Sequence, residues 1–485
     1  MSKADRIPLS IQDAMFLRAE TATAPTHIAG IEEYRIPDGE KNFVGRLVQT
    51  LRAQPAAPFW RRKLASGRGT LPLTPAWIDD ERFDLDYHVR HIALPEPGSR
   101  AQLERVVERL HAAPLDRARP LWECYFIEGL AGDGHPGSRF ALYMKSSHAL
   151  VDGMAGVAFA MGKLATDAAH GPVAPWSIDA PAAEPEARLG LVQRLRGTVR
   201  DAAGLYRLAV ENTLEGTLRT LSGQPVADLP FGVRAQSFNA PVDGHRAVAT
   251  RSLPMDRVRG VAKAAGATLN DVAIALTGAA LRRWLAGRGE LTERSLSATC
   301  PVSVRSGSGV GNNVSVLVAD LATDVDDPLV RLQRARASAA RGKRQLATLS
   351  RNAAENWALL LGSAGLASAI PGLSGRVAPP ANLVLSNVPG PREPRFFGGA
   401  ELCGYYPVSV VVQGQGLNVT LLSRAGAVDF GLTAAKGLVP DLATLADGLL
   451  VALEELEAAV SADVEARTRA LAAGGRSADG ERRAA

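Results

Sequence analysis

The chain has 485 residues, 46% of them hydrophobic and 22% charged, which is too long for one ordinary core and fits a globular protein of at least two large domains. Its 55 basic and 50 acidic side chains leave a net charge of only +5, which excludes a general nucleic-acid groove and leaves room for a local basic face. Cys124, Cys300 and Cys403 are odd in number and far apart, which argues against a disulfide framework or a zinc site and for a reducing cytosol.

In chain order, MSKADRIPLS has no apolar h-region, so no secretory signal is expected. No apolar run reaches the ~18 residues of a spanning helix, so any meeting with a membrane or lipid droplet is expected to be peripheral. LSIQDAMFLRAE reads as a helix with Ser10 as N-cap and Asp13 as its capping partner. THIAGIEEYRI alternates like a strand, and NFVGRLVQTLRAQ and RAQLERVVERLHAAP have helical spacing. LWECYFIEGL and SRFALYMKSSHA are strands around a Gly/Pro/Asp loop, and MAGVAFAMGKLATDAA is an apolar helix. His148 therefore falls at a strand-to-helix junction.

From about Gly171 the composition turns to Pro, Ala and acid, as in an exposed crossover. It is followed by a helical segment in which Arg188, Arg194, Arg196, Arg200 and Arg207 interleave with leucines, a candidate basic amphipathic face for anionic lipid. The second half repeats the mixed character. HRAVATRSLPM is a strand, MDRVRGVAKAAG and TLNDVAIALTGAALRRWLAGRG are helices, and six strand candidates and a long helix follow. The division expected is 1–170, a linker over 171–240, a second domain over 241–465 and a disordered tail over 466–485.

G-x-S-x-G, G-x-x-x-x-G-K-[ST] and H-E-x-x-H are all missing, and SGSGVGNN precedes a strand, the wrong context for a dinucleotide fingerprint. KSSHALVDGMAG is different. His148 ends a strand, and Asp152 and Gly153 follow at a spacing that lets the carboxylate brace the loop or the ring. A neutral imidazole there is suited to take a proton from an alcohol or a thiol.

Motifs spread along nearly the whole chain resemble the bacterial wax ester synthase/diacylglycerol acyltransferases. They include LSIQDAMFL, FDLDYHVRHIALPEPG, PLW (Pro120, Leu121, Trp122), LNDVAIA around Asn270 and Asp271, PVSVR, LVLSNVPGP and LNVTLLSRAGAVDFGLTA. The resemblance implies an α/β (α+β) fold of two chloramphenicol-acetyltransferase-like, CoA-dependent acyltransferase domains, with the site in a tunnel between them. It implies acyl transfer from acyl-CoA, a co-substrate with no further cofactor, to a long-chain alcohol or a diacylglycerol. The family motif is His-His-x-x-x-Asp-Gly with its second histidine as base, which maps onto His148. The aspartate, here Asp152, is structural and pairs with an arginine, for which Arg305 is the candidate.

Asn270 is the candidate oxyanion donor, set against plain helix capping by Asn270 or Asp271. Ser386 and Asn387 are candidates for the CoA or acyl path, set against a turn-forming role, and Trp122 is expected to be a packed anchor. Ser147 stands where the family carries its first histidine. This leaves three readings: an active lipid acyltransferase, a weakly active or inactive lipid-binding paralogue, and a related acyltransferase making polyketide or glycolipid esters.

Overall fold

A computed structural model describes residues 6–65, 72, 74–132, 135–180, 191–232, 235–303, 314–368 and 379–483. The first half contains β1 (Ile7–Pro8), α1 (Ile11–Ala19), β2 (His27–Arg35), α2 (Phe43–Arg52), β3 (Arg62–Leu64) and β4 (Ala76–Asp79). It continues with α3 (Leu85–His88), β5 (Val89–Ala93), α4 (Arg100–Ala112), β6 (Trp122–Gly132), β7 (His135–Ser147) and α5 (Gly153–Gly162). Helix α6 (Leu191–Leu221) links it to β8 (Arg246–Pro254), α7 (Met255–Ala264), α8 (Leu269–Gly287), β9 (Ser297–Ser303) and β10 (Val314–Asp320). The rest is α9 (Pro328–Ala347), α10 (Arg351–Ser368), β11 (Leu383–Pro389), β12 (Phe396–Phe397), β13 (Ala400–Val408), β14 (Leu417–Arg424), β15 (Ala427–Ala435) and α11 (Leu442–Arg483).

Two six-stranded mixed sheets organise these elements, in the orders β12-β13-β2-β7-β6-β5 and β10-β9-β11-β14-β15-β8. This is the mixed α/β, two-domain architecture that the sequence resemblance implied. The sheets do not divide the chain at one point, however. β12 and β13 come from the region expected to form the second domain, yet β13 pairs antiparallel with β2, placing Tyr405 opposite Glu32 and Pro407 opposite Gly30. The next strand, β14, returns to the second sheet between β11 and β15. Residues 409–416 thus bridge the two sheets. Gly431 on β15 is required at this junction, because a Cβ there would lie 1.8 Å from the Pro407 carbonyl oxygen.

Each strand of the first sheet has two sides with a period of two residues. On β7, Phe140 and Leu142 pack with Tyr34, Trp122 and Phe126, whereas Ala141 and Tyr143 pack with Leu103 and Val107 of α4 and Val248 of β8. Helix starts follow local chemistry. Ser10 accepts from the Asp13 amide at 3.0 Å, and Thr268 and Asp271 form a reciprocal capping box at the start of α8. Helix α11 continues through the polar stretch from 466 as far as Arg483. The Asp463–Arg467 and Glu465–Arg469 pairs, spaced i,i+4, support its turns between 463 and 469.

Candidate active site

Backbone hydrogen bonds fix the end of β7. The Ser147 amide donates to Leu121 O and the His148 amide to Thr26 O, both at 2.9 Å. The chain then turns, with Leu150 and Val151 donating to Ser147 O and the Ser147 hydroxyl accepting from Ala149 at 3.3 Å. Asp152 is the N-cap of α5, its carboxylate taking the Ala155 amide at 2.6 Å. Asp152 thus caps α5 at the loop where a brace was expected. Arg305, its expected partner, lies outside the described residues. Gly153 has no positive φ, and a Cβ there would meet nothing within 4 Å. It lines the cavity, so its smallness leaves cavity space open, and the tight backbone expected of it is not required.

The His148 ring stacks on Phe16 of α1, centroids 3.9 Å apart and planes inclined by 12°. Phe16 is itself held, because Thr26 Oγ1 donates to Phe16 O at 3.0 Å and Arg117 donates to Leu17 O at 2.7 Å. Nδ1 of His148 is buried without a hydrogen-bond partner among the described residues, which leaves Nε2 as the nitrogen able to meet a substrate. Desolvation pulls the imidazole pKa below 6.5, while the carboxylates of Asp152 and Asp13 act in the opposite direction. The ring is therefore neutral at neutral pH, the form a base needs.

Ser147 faces the other way. Ser146 and His148 line the cavity, whereas Ser147 shares its side of β7 with Lys145 and stands opposite His27 in the β2–β7 register. Behind it is a buried polar layer. His27 Nε2 bonds His111 O at 2.6 Å, His111 Nδ1 bonds the Tyr143 hydroxyl at 2.9 Å, and Lys145 donates to Leu110 O and Ala113 O and pairs with Glu123. Burial, then the nearby Lys145 charge, pull His27 down to about 3. A side chain at position 147 belongs to this layer, where it is 2% exposed.

The cavity encloses about 700 Å³ and is walled by both halves of the chain. Asn270, Ser386 and Asn387 all line it, and Asn387 Nδ2 reaches Asn270 Oδ1 at 3.5 Å. Two asparagines singled out separately in the sequence thus meet in one wall. Asp271, by contrast, is consumed by the Thr268 capping box. Pro120, Leu121 and Trp122 are absent from the cavity wall. Trp122 is fully buried, donates to Trp60 O at 2.7 Å and packs on His88 and Trp176, and Leu121 O anchors Ser147. Sequence reasoning missed Phe16, Thr26 and Ser146, and also Gln413, Gln415, Asn418 and Thr420, which add polar groups to the wall. No group of three or more His, Cys, Asp or Glu among the described residues could hold a metal ion.

Comparison with known proteins places these features in context. Residues 9–273 match the wax ester synthase/diacylglycerol acyltransferase catalytic domain, and residues 310–457 match the C-terminal domain of the same family. A Mycobacterium tuberculosis protein named as a diacylglycerol O-acyltransferase is 39% identical over 92% of this chain and 99% of its own length. The O-acyltransferase WSD of Acinetobacter baylyi is 33% identical over 95% and 99%. The solved wax ester synthase/diacylglycerol acyltransferase from Marinobacter aquaeolei VT8 superposes with a TM-score of 0.73 at 30% identity, covering 94% of this chain and all of that one. The first condensation domain of the calcium-dependent antibiotic synthetase, 18% identical, covers 94% and 97% with a TM-score of 0.54, a likeness of fold alone.

Proposed function

Belonging as it does to the wax ester synthase/diacylglycerol acyltransferase family, the chain is an acyltransferase, and we propose that it moves an acyl group from CoA to the hydroxyl of a diacylglycerol or a long-chain alcohol, with His148 as general base. The observation that carries this reading is the imidazole itself. It is buried, stacked on Phe16 and set in the wall of a largely apolar cavity that both sheets enclose.

Nε2 takes the proton of the acceptor hydroxyl as its oxygen attacks the thioester carbonyl. The resulting oxyanion collapses, the carbon–sulfur bond breaks, and the imidazolium returns the proton to the CoA thiolate. Base catalysis of this kind supplies about 10²–10⁴ in rate, and confinement of two large reactants adds to it. The Asn270 amide, its oxygen engaged by Asn387, offers an NH₂ group to the oxyanion. No covalent acyl-enzyme is involved, and acyl-CoA is a co-substrate with no further cofactor.

Peripheral contact with a lipid surface is supported by Tyr206, Leu214, Leu218 and Leu221, which are exposed along α6. Of the arginines expected to form a basic face, Arg188 and the side chains of Arg194 and Arg196 lie outside the described residues, Arg200 is exposed, and Arg207 is exposed and paired with Glu211. Among the described residues no single helix is long and apolar enough to cross a membrane.

The test is ester formation by the purified protein from labelled lauroyl- or palmitoyl-CoA with hexadecanol or dioleoylglycerol, together with intact mass after acyl-CoA alone. Ester with an unshifted protein mass supports the reading. No ester in any combination refutes it and favours a lipid-binding paralogue.

A further inference from the structure

One limb of the cavity is lined by two matched ladders, with the Tyr405 ring between them, lying over Gly30 and packed against Ala160. Met154, Val157, Ala160 and Lys163 line it from one face of α5 and the residue after it, spaced by three. Ile28, Gly30 and Glu32 line it from alternate positions of β2. Met154 to Lys163 is nine helical steps and Ile28 to Glu32 four strand steps, and both amount to about 13 Å.

The two ladders end on each other. Lys163 Nζ lies 2.8 Å from Glu32 Oε1 and 2.7 Å from Oε2, and also donates to Ala160 O at 3.2 Å. Tyr34 donates to the same carboxylate, and Lys163 lies 5.8 Å from the centre of the Phe397 ring. Glu32 is 3% and Lys163 4% exposed. Beyond the pair, Tyr34, Phe140 and Phe397 are fully buried, packed on one another and absent from this cavity's wall.

We propose that the Glu32–Lys163 ion pair closes this limb and sets the longest alkyl tail, of acyl donor or of acceptor, that the enzyme accepts. The proposal rests on the acyltransferase reading above. An extended tail advances about 1.25 Å per carbon–carbon bond of ~1.5 Å, so the limb seats roughly ten methylenes beyond the level of Ile28. Each methylene buried is worth about a fourfold gain in binding. Prising apart a desolvated ion pair costs on the order of 10²–10³-fold, so one or two extra methylenes cannot force it open. A tail that reaches the pair must stop or buckle.

The experiment measures kcat/KM across acyl-CoA lengths at fixed acceptor and across alcohol lengths at fixed donor. It compares the wild type with Glu32→Leu/Lys163→Met and with Ala160→Leu. Both members of the pair are replaced together because either single change leaves a buried charge alone. Ala160→Leu leaves the pair intact and fills the limb one turn short of it, so the test survives if the double variant does not fold.

In one of the two series, the wild type should rise with length and fall beyond roughly fifteen carbons, about five from the level of His148 to Ile28 and ten beyond it. The double variant should continue to rise by about fourfold per carbon for at least two carbons, and Ala160→Leu should move the optimum two or more carbons shorter. The series that responds identifies whose tail occupies the limb. Folded variants with wild-type length profiles in both series overturn the proposal while leaving the acyltransferase reading intact. If no variant turns over, quenching of Trp60, which lines the same cavity, by fatty acids of graded length gives the same comparison without catalysis.

Discussion

Replacing Asp152 by Asn and by Ala separates two roles that one carboxylate holds at once. The side chain is 6% exposed and takes the Ala155 amide at 2.6 Å, a buried N-cap bond whose loss to alanine costs about 1 kcal/mol, within a range of 0.5–2. Asn keeps an acceptor in that place, so Asp152→Asn should melt within about 0.3 kcal/mol of wild type and Asp152→Ala about 1 kcal/mol below it. Both substitutions remove the negative charge that offsets desolvation at His148. The His148 pKa should therefore fall further in both, and the acid limb of the kcat/KM profile should move to lower pH by the same amount in each. The assays are denaturant unfolding and a pH–rate profile from 5 to 9. Equal destabilisation by Asn and Ala would mean that the charge is engaged by a partner, as the expected Arg305 pairing requires, and would refute the cap as the main structural role.

Other positions answer with different readouts. Phe16→Leu removes the stack and lets water reach the imidazole, so the acid limb should move up toward 6.5 and kcat/KM fall by about two- to tenfold; an unmoved limb would sink the desolvation argument. Ser147→Ala should leave kcat within about twofold, because the hydroxyl faces the buried polar layer; a loss of 10²-fold would put this position in the chemistry. His27 stays neutral down to about 3 while its unfolded counterpart protonates near 6.5, so the folded state loses about 2 kcal/mol from this group between pH 7 and 5 and more below. That stability is fully present above 6.5 and declines as pH falls. The loss of Tm between pH 7 and 5 should be smaller in His27→Gln, and an identical slope in both proteins would refute the assignment.

Elements with strong local signals were legible in the sequence. The alternation of β2 and β7, the Ser10 cap and the strand-to-helix junction at His148 all follow from patterns within a dozen residues. Helices α9 and α10 escaped notice, although Asp327 followed by Pro328 is a readable N-cap and N1 pair. Other features depend on pairings between distant segments. Asn270 and Asn387 are 117 positions apart and meet only because α8 and β11 converge on one cavity wall. The adjacent Glu32 and Glu33 look alike in sequence, yet the strand sends one to Lys163 and the other to Arg100. The insertion of β13 beside β2 has no local signal, since its alternation suits either sheet.

Catalysis by His148 is tested most directly by the single-turnover rate of ester formation by His148→Ala at saturating acyl-CoA and acceptor. The reaction should fall by about 10²–10⁴ while acyl-CoA binding and the melting profile stay near wild type. A folded His148→Ala enzyme that makes ester within tenfold of the wild-type rate would contradict that role.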